Sequence, residues 1–153
     1  MVARKTVTFG LLTPLLTIFV LLDIASFWVW AWGARDAIEV TYASINLGLF
    51  IALAYYIATV LIFPLPSTTW ERLDEHYWSN KRFVISGVMV ANLAVVLHGV
   101  SARPELLILP RFLFLQLIYW VPLIVILFSR RRVIDLACLG VLIAAYIIAS
   151  VFS

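Results

Sequence analysis

The sequence predicts an all-α integral membrane bundle. It consists of five transmembrane helices and one short amphipathic interfacial helix in a single domain over residues 1–153. Composition points there first: 65% of residues are hydrophobic and only 12% are charged, where a soluble domain carries about 25% charged residues. Five apolar runs then follow one another at 9–32, 37–63, 83–100, 106–128 and 133–152. A helix needs about 20 such residues to cross a bilayer. Little chain lies outside these runs, so no soluble catalytic domain fits. The lone Cys138 rules out an intrachain disulfide.

The first run carries Pro14 in an early turn, which predicts a kink. Trp28, Trp30 and Trp32 crowd its far end, where indole rings favour the headgroup level. A cleaved leader is the rival reading of residues 1–34, but the apolar stretch is long for one. The second run ends at Pro64 and Pro66, which together prevent helix continuation.

Residues 67–82 form the main polar stretch. Thr68 and Glu71 match a capping box. At helical spacing Trp70, Leu73 and Tyr77 share one face with Trp78 at its edge, and Glu71, Arg72, Glu75 and His76 cover the other. This pattern predicts a helix over 68–80 lying on the membrane surface, with Trp70, Tyr77 and Trp78 at the interface. In the fourth run Pro122 removes one backbone bond and frees the carbonyl of Ile118. The fifth run follows Arg130–Arg132 directly, which predicts a tight hairpin between runs four and five.

Basic residues alternate along the chain. Arg4, Lys5, Arg72, Lys81, Arg82 and Arg130–Arg132 fall in one set of segments, against Arg35, Arg103 and Arg111 in the other. The positive-inside rule then predicts a cytoplasmic N-terminus and an external C-terminus in a cell membrane, of the bacterial inner-membrane kind. Such short clusters at helix ends are topology signals; no nucleic-acid partner is expected.

Asp23 is the residue that most needs explaining. A carboxylate at the centre of an apolar helix costs roughly 2.5–3.5 kcal/mol on insertion scales and marks a functional candidate. Counted from the predicted outer ends, Asp23, Asn46, Asn92, Gln116 and Tyr146 lie about 13, 13, 12, 15 and 9 Å deep. Each helix would thus supply one polar group to a layer near the midplane, as an ion or ligand site requires. The competing account is interhelical bonding, at about 0.6 kcal/mol per group. No Lys or Arg lies at a depth to pair with Asp23.

The remaining motifs argue against enzyme chemistry. His76 and His98 fall on opposite sides of the predicted membrane, so they cannot jointly ligate a haem. Glu71, Asp74, Glu75 and His76 read as a solvated helix face rather than a metal site. No phosphate loop, cysteine pair or nucleophile motif is present. No catalytic residue, metal or cofactor is therefore predicted.

Small residues recur at four-residue spacing, in Ser44, Gly48 and Ala52, in Gly87 and Ala91, and in Gly140 and Ala144. Such stripes let helices approach closely and are expected to pack the bundle or dock a partner. Residues 54–60 (AYYIATV) also echo 145–151 (AYIIASV), on helices predicted to run in opposite directions, as an inverted repeat would. Taken together, the sequence favours a non-enzymatic accessory, scaffold or assembly subunit. Its expected partners are the lipid bilayer and another membrane protein or a second copy. A small transporter or channel subunit built on the polar layer comes second, and a membrane redox or enzyme subunit third.

Overall fold

The structure, a computed structural model, describes residues 10–36, 38–63 and 73–151. The described chain is helical throughout: α1 (Leu12–Ala34), α2 (Tyr42–Ile62), α3 (Leu73–Ala102), a 3-10 turn (Pro104–Ile108), α4 (Pro110–Phe128) and α5 (Arg132–Val151). All five α-helices are long and apolar enough to cross a membrane. The predicted all-helical architecture therefore stands, with five helices of the length and composition a membrane span needs.

Local chemistry explains the boundaries. Pro14 falls in the first turn of α1, where its missing N–H has no helical acceptor to serve, so it needs no kink. Thr41 and Ser44 form a reciprocal capping box at the start of α2. The Ser44 N–H donates to Thr41 Oγ1 at 3.2 Å, and the Thr41 N–H donates to Ser44 Oγ at 2.9 Å. The predicted fourth span, 106–128, divides in two. Pro110 holds Leu109 extended and opens α4 as its first residue, leaving 104–108 as a separate 3-10 turn.

The predicted surface helix over 68–80 and third span over 83–100 are not separate elements. Residues 73–102 form one continuous helix, while Trp70 and the Thr68–Glu71 cap lie outside the described residues. Tyr77, expected at the membrane interface, is 2% exposed. Of the polar residues that made 73–82 look solvated, Asp74 and Lys81 are met by partners on α5, described below, and His76 is buried with its Nε2 2.9 Å from the Leu61 carbonyl oxygen.

α1 packs against α2, α3 and α5, and α4 bridges α3 and α5. α3 and α5 stand apart along their backbones among the described residues. The inner faces follow helical spacing, as in Leu12, Leu16, Phe19, Val20 and Asp23 of α1, or Ile51, Tyr55, Ala58 and Ile62 of α2. The outer faces keep large apolar side chains exposed, including Leu49, Leu53, Phe114 and Leu117, as a lipid-facing surface does.

The three small-residue stripes behave differently. A Cβ on Gly87 would lie 3.4 Å from the Ala54 carbonyl oxygen and 3.5 Å from the Ala58 Cβ, and Ala91 is buried. That pair does pack α3 closely against α2. Ala52, Gly140 and Ala144 are exposed, and nothing lies within 4 Å of a Cβ built on Gly48 or Gly140. These two stripes do not pack the bundle, because they are rotated away from the faces carrying Tyr55 and Leu142. Ser44 serves the α2 cap instead. Gly87→Leu is accordingly expected to cost about 1–3 kcal/mol of stability, whereas Gly48→Leu leaves the thermal midpoint in detergent unchanged. Equal midpoints for the two variants would contradict this packing.

Candidate functional site: a carboxylate held by four helices

Asp23 is fully buried on the inner face of α1. Its local partner is main-chain only: Ser26 Oγ donates to the Asp23 carbonyl oxygen at 2.7 Å. The carboxylate is met by one donor from each of the other four helices. Tyr55 of α2 donates its hydroxyl to Oδ2 at 2.8 Å. Asn92 of α3 donates Nδ2 to the same oxygen at 2.8 Å and to the Tyr55 hydroxyl oxygen at 3.1 Å. Tyr119 of α4 donates to Oδ1 at 2.9 Å, and Tyr146 of α5 donates to Oδ1 as well.

A carboxylate presents about four lone-pair sites. The four partner groups match those sites when each donates, the arrangement of an ionised carboxylate. No Lys, Arg or His pairs with Asp23 among the described residues. Its charge is therefore balanced by dipoles alone. Aromatic packing fixes the donors: the Phe19 ring lies 6.5 Å from that of Tyr119 and 6.3 Å from that of Tyr146, and the Phe27 ring lies 5.9 Å from that of Tyr55.

Beside this cluster, between α3, α4 and α5, lies a cleft of about 240 Å³. Asn92, Gln116, Tyr119 and Tyr146 are its polar wall, and Val96, Leu142 and Ala149 supply apolar surface. The cleft lies where the backbones of α3 and α5 stand apart.

Of the predicted polar layer, Asp23, Asn92 and Tyr146 meet directly. Gln116 does not reach the carboxylate; its Oε1 accepts from Trp120 Nε1 at 2.7 Å while the side chain lines the cleft. Asn46 is exposed and takes no part, since the inner face of α2 is set by Ile51 and Tyr55. Tyr55 and Tyr119 were not among the expected residues. Tyr55 was legible in the internal echo, where it occupies the position of Tyr146. The two tyrosines approach the two oxygens of one carboxylate from either side of α1.

A second buried polar cluster also escaped the sequence. Lys81 of α3 and Asp135 of α5 are 3% and 0% exposed and form an ion pair at 2.7 Å. Tyr77 donates to the same Asp135 oxygen at 2.9 Å, and Lys81 Nζ donates to the Ser129 carbonyl at 2.6 Å. The Trp78 ring lies 4.2 Å from the ammonium, which places this predicted interface residue over a buried charge. Nearby, Arg132 pairs with Asp74 at 3.4 Å. Gly10 admits that carboxylate, since a Cβ there would sit 1.7 Å from Asp74 Oδ1.

At the other end of the bundle Trp28 and Trp32 are exposed, and Arg35 caps the Trp32 ring at 4.5 Å. Trp30 turns inward, edge-on to His98 at 6.1 Å. Among the described residues no group of three or more His, Cys, Asp or Glu side chains could hold a metal ion.

Tyr119→Phe is expected to lower stability by about 1–3 kcal/mol, the cost of leaving one carboxylate oxygen short of a donor. In an Asp23→Leu background the same change should cost little. A double-mutant cycle in detergent measures the difference, and additive costs would contradict the geometry. Comparison of the chain with protein-family models, curated proteins and solved structures finds no match.

Proposed function

We propose that this chain is a small non-enzymatic membrane protein that binds a solute or ion, working as a transporter or channel subunit, with the cleft beside Asp23 as its site. One observation carries this reading. Three of the four side chains that hold the Asp23 carboxylate, Asn92, Tyr119 and Tyr146, also wall the cleft. A ligand there meets the groups that set the state of the buried charge, so occupancy and the carboxylate are coupled. A cross-link serving stability alone requires no such cleft.

The distribution of Lys and Arg supports a cytoplasmic N-terminus and an external C-terminus in a bacterial inner membrane. In that orientation Ala145 and Ala149, near the end of α5, place the cleft in the outer half of the bilayer. The exposed Trp28 and Trp32 then lie at the outer interface.

A docking subunit is the second reading. It is favoured by the outward-facing small residues of α2 and α5, which have open space around Gly48 and Gly140. A membrane-protein partner or a second copy would cover those faces.

Proteoliposomes with an entrapped pH dye and a negative-inside potassium diffusion potential separate the two. The wild-type chain is expected to acidify the lumen, and Asp23→Asn to abolish that flux. Rates equal to empty vesicles for both proteins would remove Asp23 from transport and leave the docking reading.

A further inference from the structure

We infer that the cleft between α3, α4 and α5 is a site for an organic ammonium ion with an apolar body. The inference rests on the cleft being a ligand site and names the class of ligand it takes.

Charge comes first. The Asp23 carboxylate has no counter-cation among the described residues, and its hydrogen-bond partners are all neutral. In the ionised form, dipoles satisfy its lone pairs but leave the net negative charge in place. In a low-dielectric interior that charge acts over longer range than in water, and the cleft is the adjoining space where a cation could answer it.

The hydrogen-bonding character of the wall agrees. The Tyr119 and Tyr146 hydroxyls already donate to Asp23, so their protons are committed. Asn92 uses Nδ2 towards Asp23, Tyr55 and the Val88 carbonyl, leaving Oδ1 without a donor among the described residues. Pro122 has no N–H to give the carbonyl of Ile118, a residue that lines the same cleft. The wall thus keeps acceptors in Asn92 Oδ1 and the Ile118 carbonyl beside one donor, the Gln116 amide nitrogen, and the acceptors suit N–H donors on a cation.

The rings and apolar surface set the rest of the ligand. Tyr119 and Tyr146 stand edge-to-face, their centroids 6.3 Å apart, offering π-faces to a cation. Val96, Leu142 and Ala149 supply the surface for an apolar body. About 240 Å³ is room for a single-ring amine.

Isothermal titration of the purified full chain in detergent tests this, with 2-phenylethylammonium as the probe and 2-phenylethanol as its neutral counterpart. The ammonium should bind saturably, and the alcohol about tenfold more weakly or worse. Asp23→Asn should erase that preference. Ala145→Phe, which fills the cleft without touching the carboxylate, should abolish binding of the ammonium, and it keeps the test decisive if Asp23→Asn fails to fold. Equal affinity for the two probes overturns the inference, as does ammonium binding that survives Ala145→Phe or no binding at all. Ammonium binding without flux in proteoliposomes would overturn the transport reading alone; flux without ammonium binding would overturn this inference alone.

Discussion

A carboxylate buried without a counter-cation has to take its stabilisation from hydrogen-bond donors, and Asp23 takes it from all four of the other helices. This fixes more than one side chain. Helices in lipid gain little from apolar contact with each other, because the solvent is as apolar as they are. Rotation or sliding of any helix would strip a donor from the carboxylate, at about 1–3 kcal/mol each time. The cluster therefore sets the rotation of α2, α3, α4 and α5 about α1. Close packing at Gly87 and the aromatic contacts of Phe19 and Phe27 then fill in around it.

The bundle handles its two buried carboxylates in different ways. Asp135 lies in the first turn of α5, opposite Lys81 on α3, and a direct ion pair forms. Asp23 lies mid-helix, where no cation among the described residues reaches it. Asp135 and Tyr146 lie eleven positions apart on α5, about 16 Å of helix. Between the two clusters, Val84, Ile85, Val88, Leu139 and Leu142 are almost wholly buried. α3 and α5 thus run through the same sequence of ion pair, dry layer and donor cluster. A solute reaching the cleft would still face that dry layer, so passage across the bundle requires the two polar ends to rearrange.

Much of this was legible in the sequence. Long apolar runs give the five helices, because backbone groups in lipid can be satisfied only within a helix or a closed barrel. Asp23, Asn92 and Tyr146 stood out because polar groups are conspicuous in such runs. Tyr119 did not, since an aromatic ring in an apolar helix passes for core, and only the fold shows its hydroxyl against Oδ1. In the sequence Lys81 reads as a topology charge because it adjoins the end of an apolar run; α3 runs on past that end to Leu73 and carries it inside. Depth along a helix says nothing about rotation, which is why Asn46 matched Asp23 in level yet faces outward. The same ignorance of rotation misplaced the Gly48 and Gly140 stripes. The cleft is likewise a property of three helices together, and no single segment shows it.

The central claim is that Asp23 is an ionised carboxylate saturated by donors, and its protonation state can be read directly. Infrared difference spectroscopy of wild type against Asp23→Asn in lipid at neutral pH isolates the vibrations of this one group. The geometry predicts that the variant loses a symmetric and antisymmetric carboxylate pair shifted by strong hydrogen bonding. Loss of a carboxylic-acid carbonyl band instead would mean that the site holds a neutral acid, and the account of a charge balanced by four donors would be wrong.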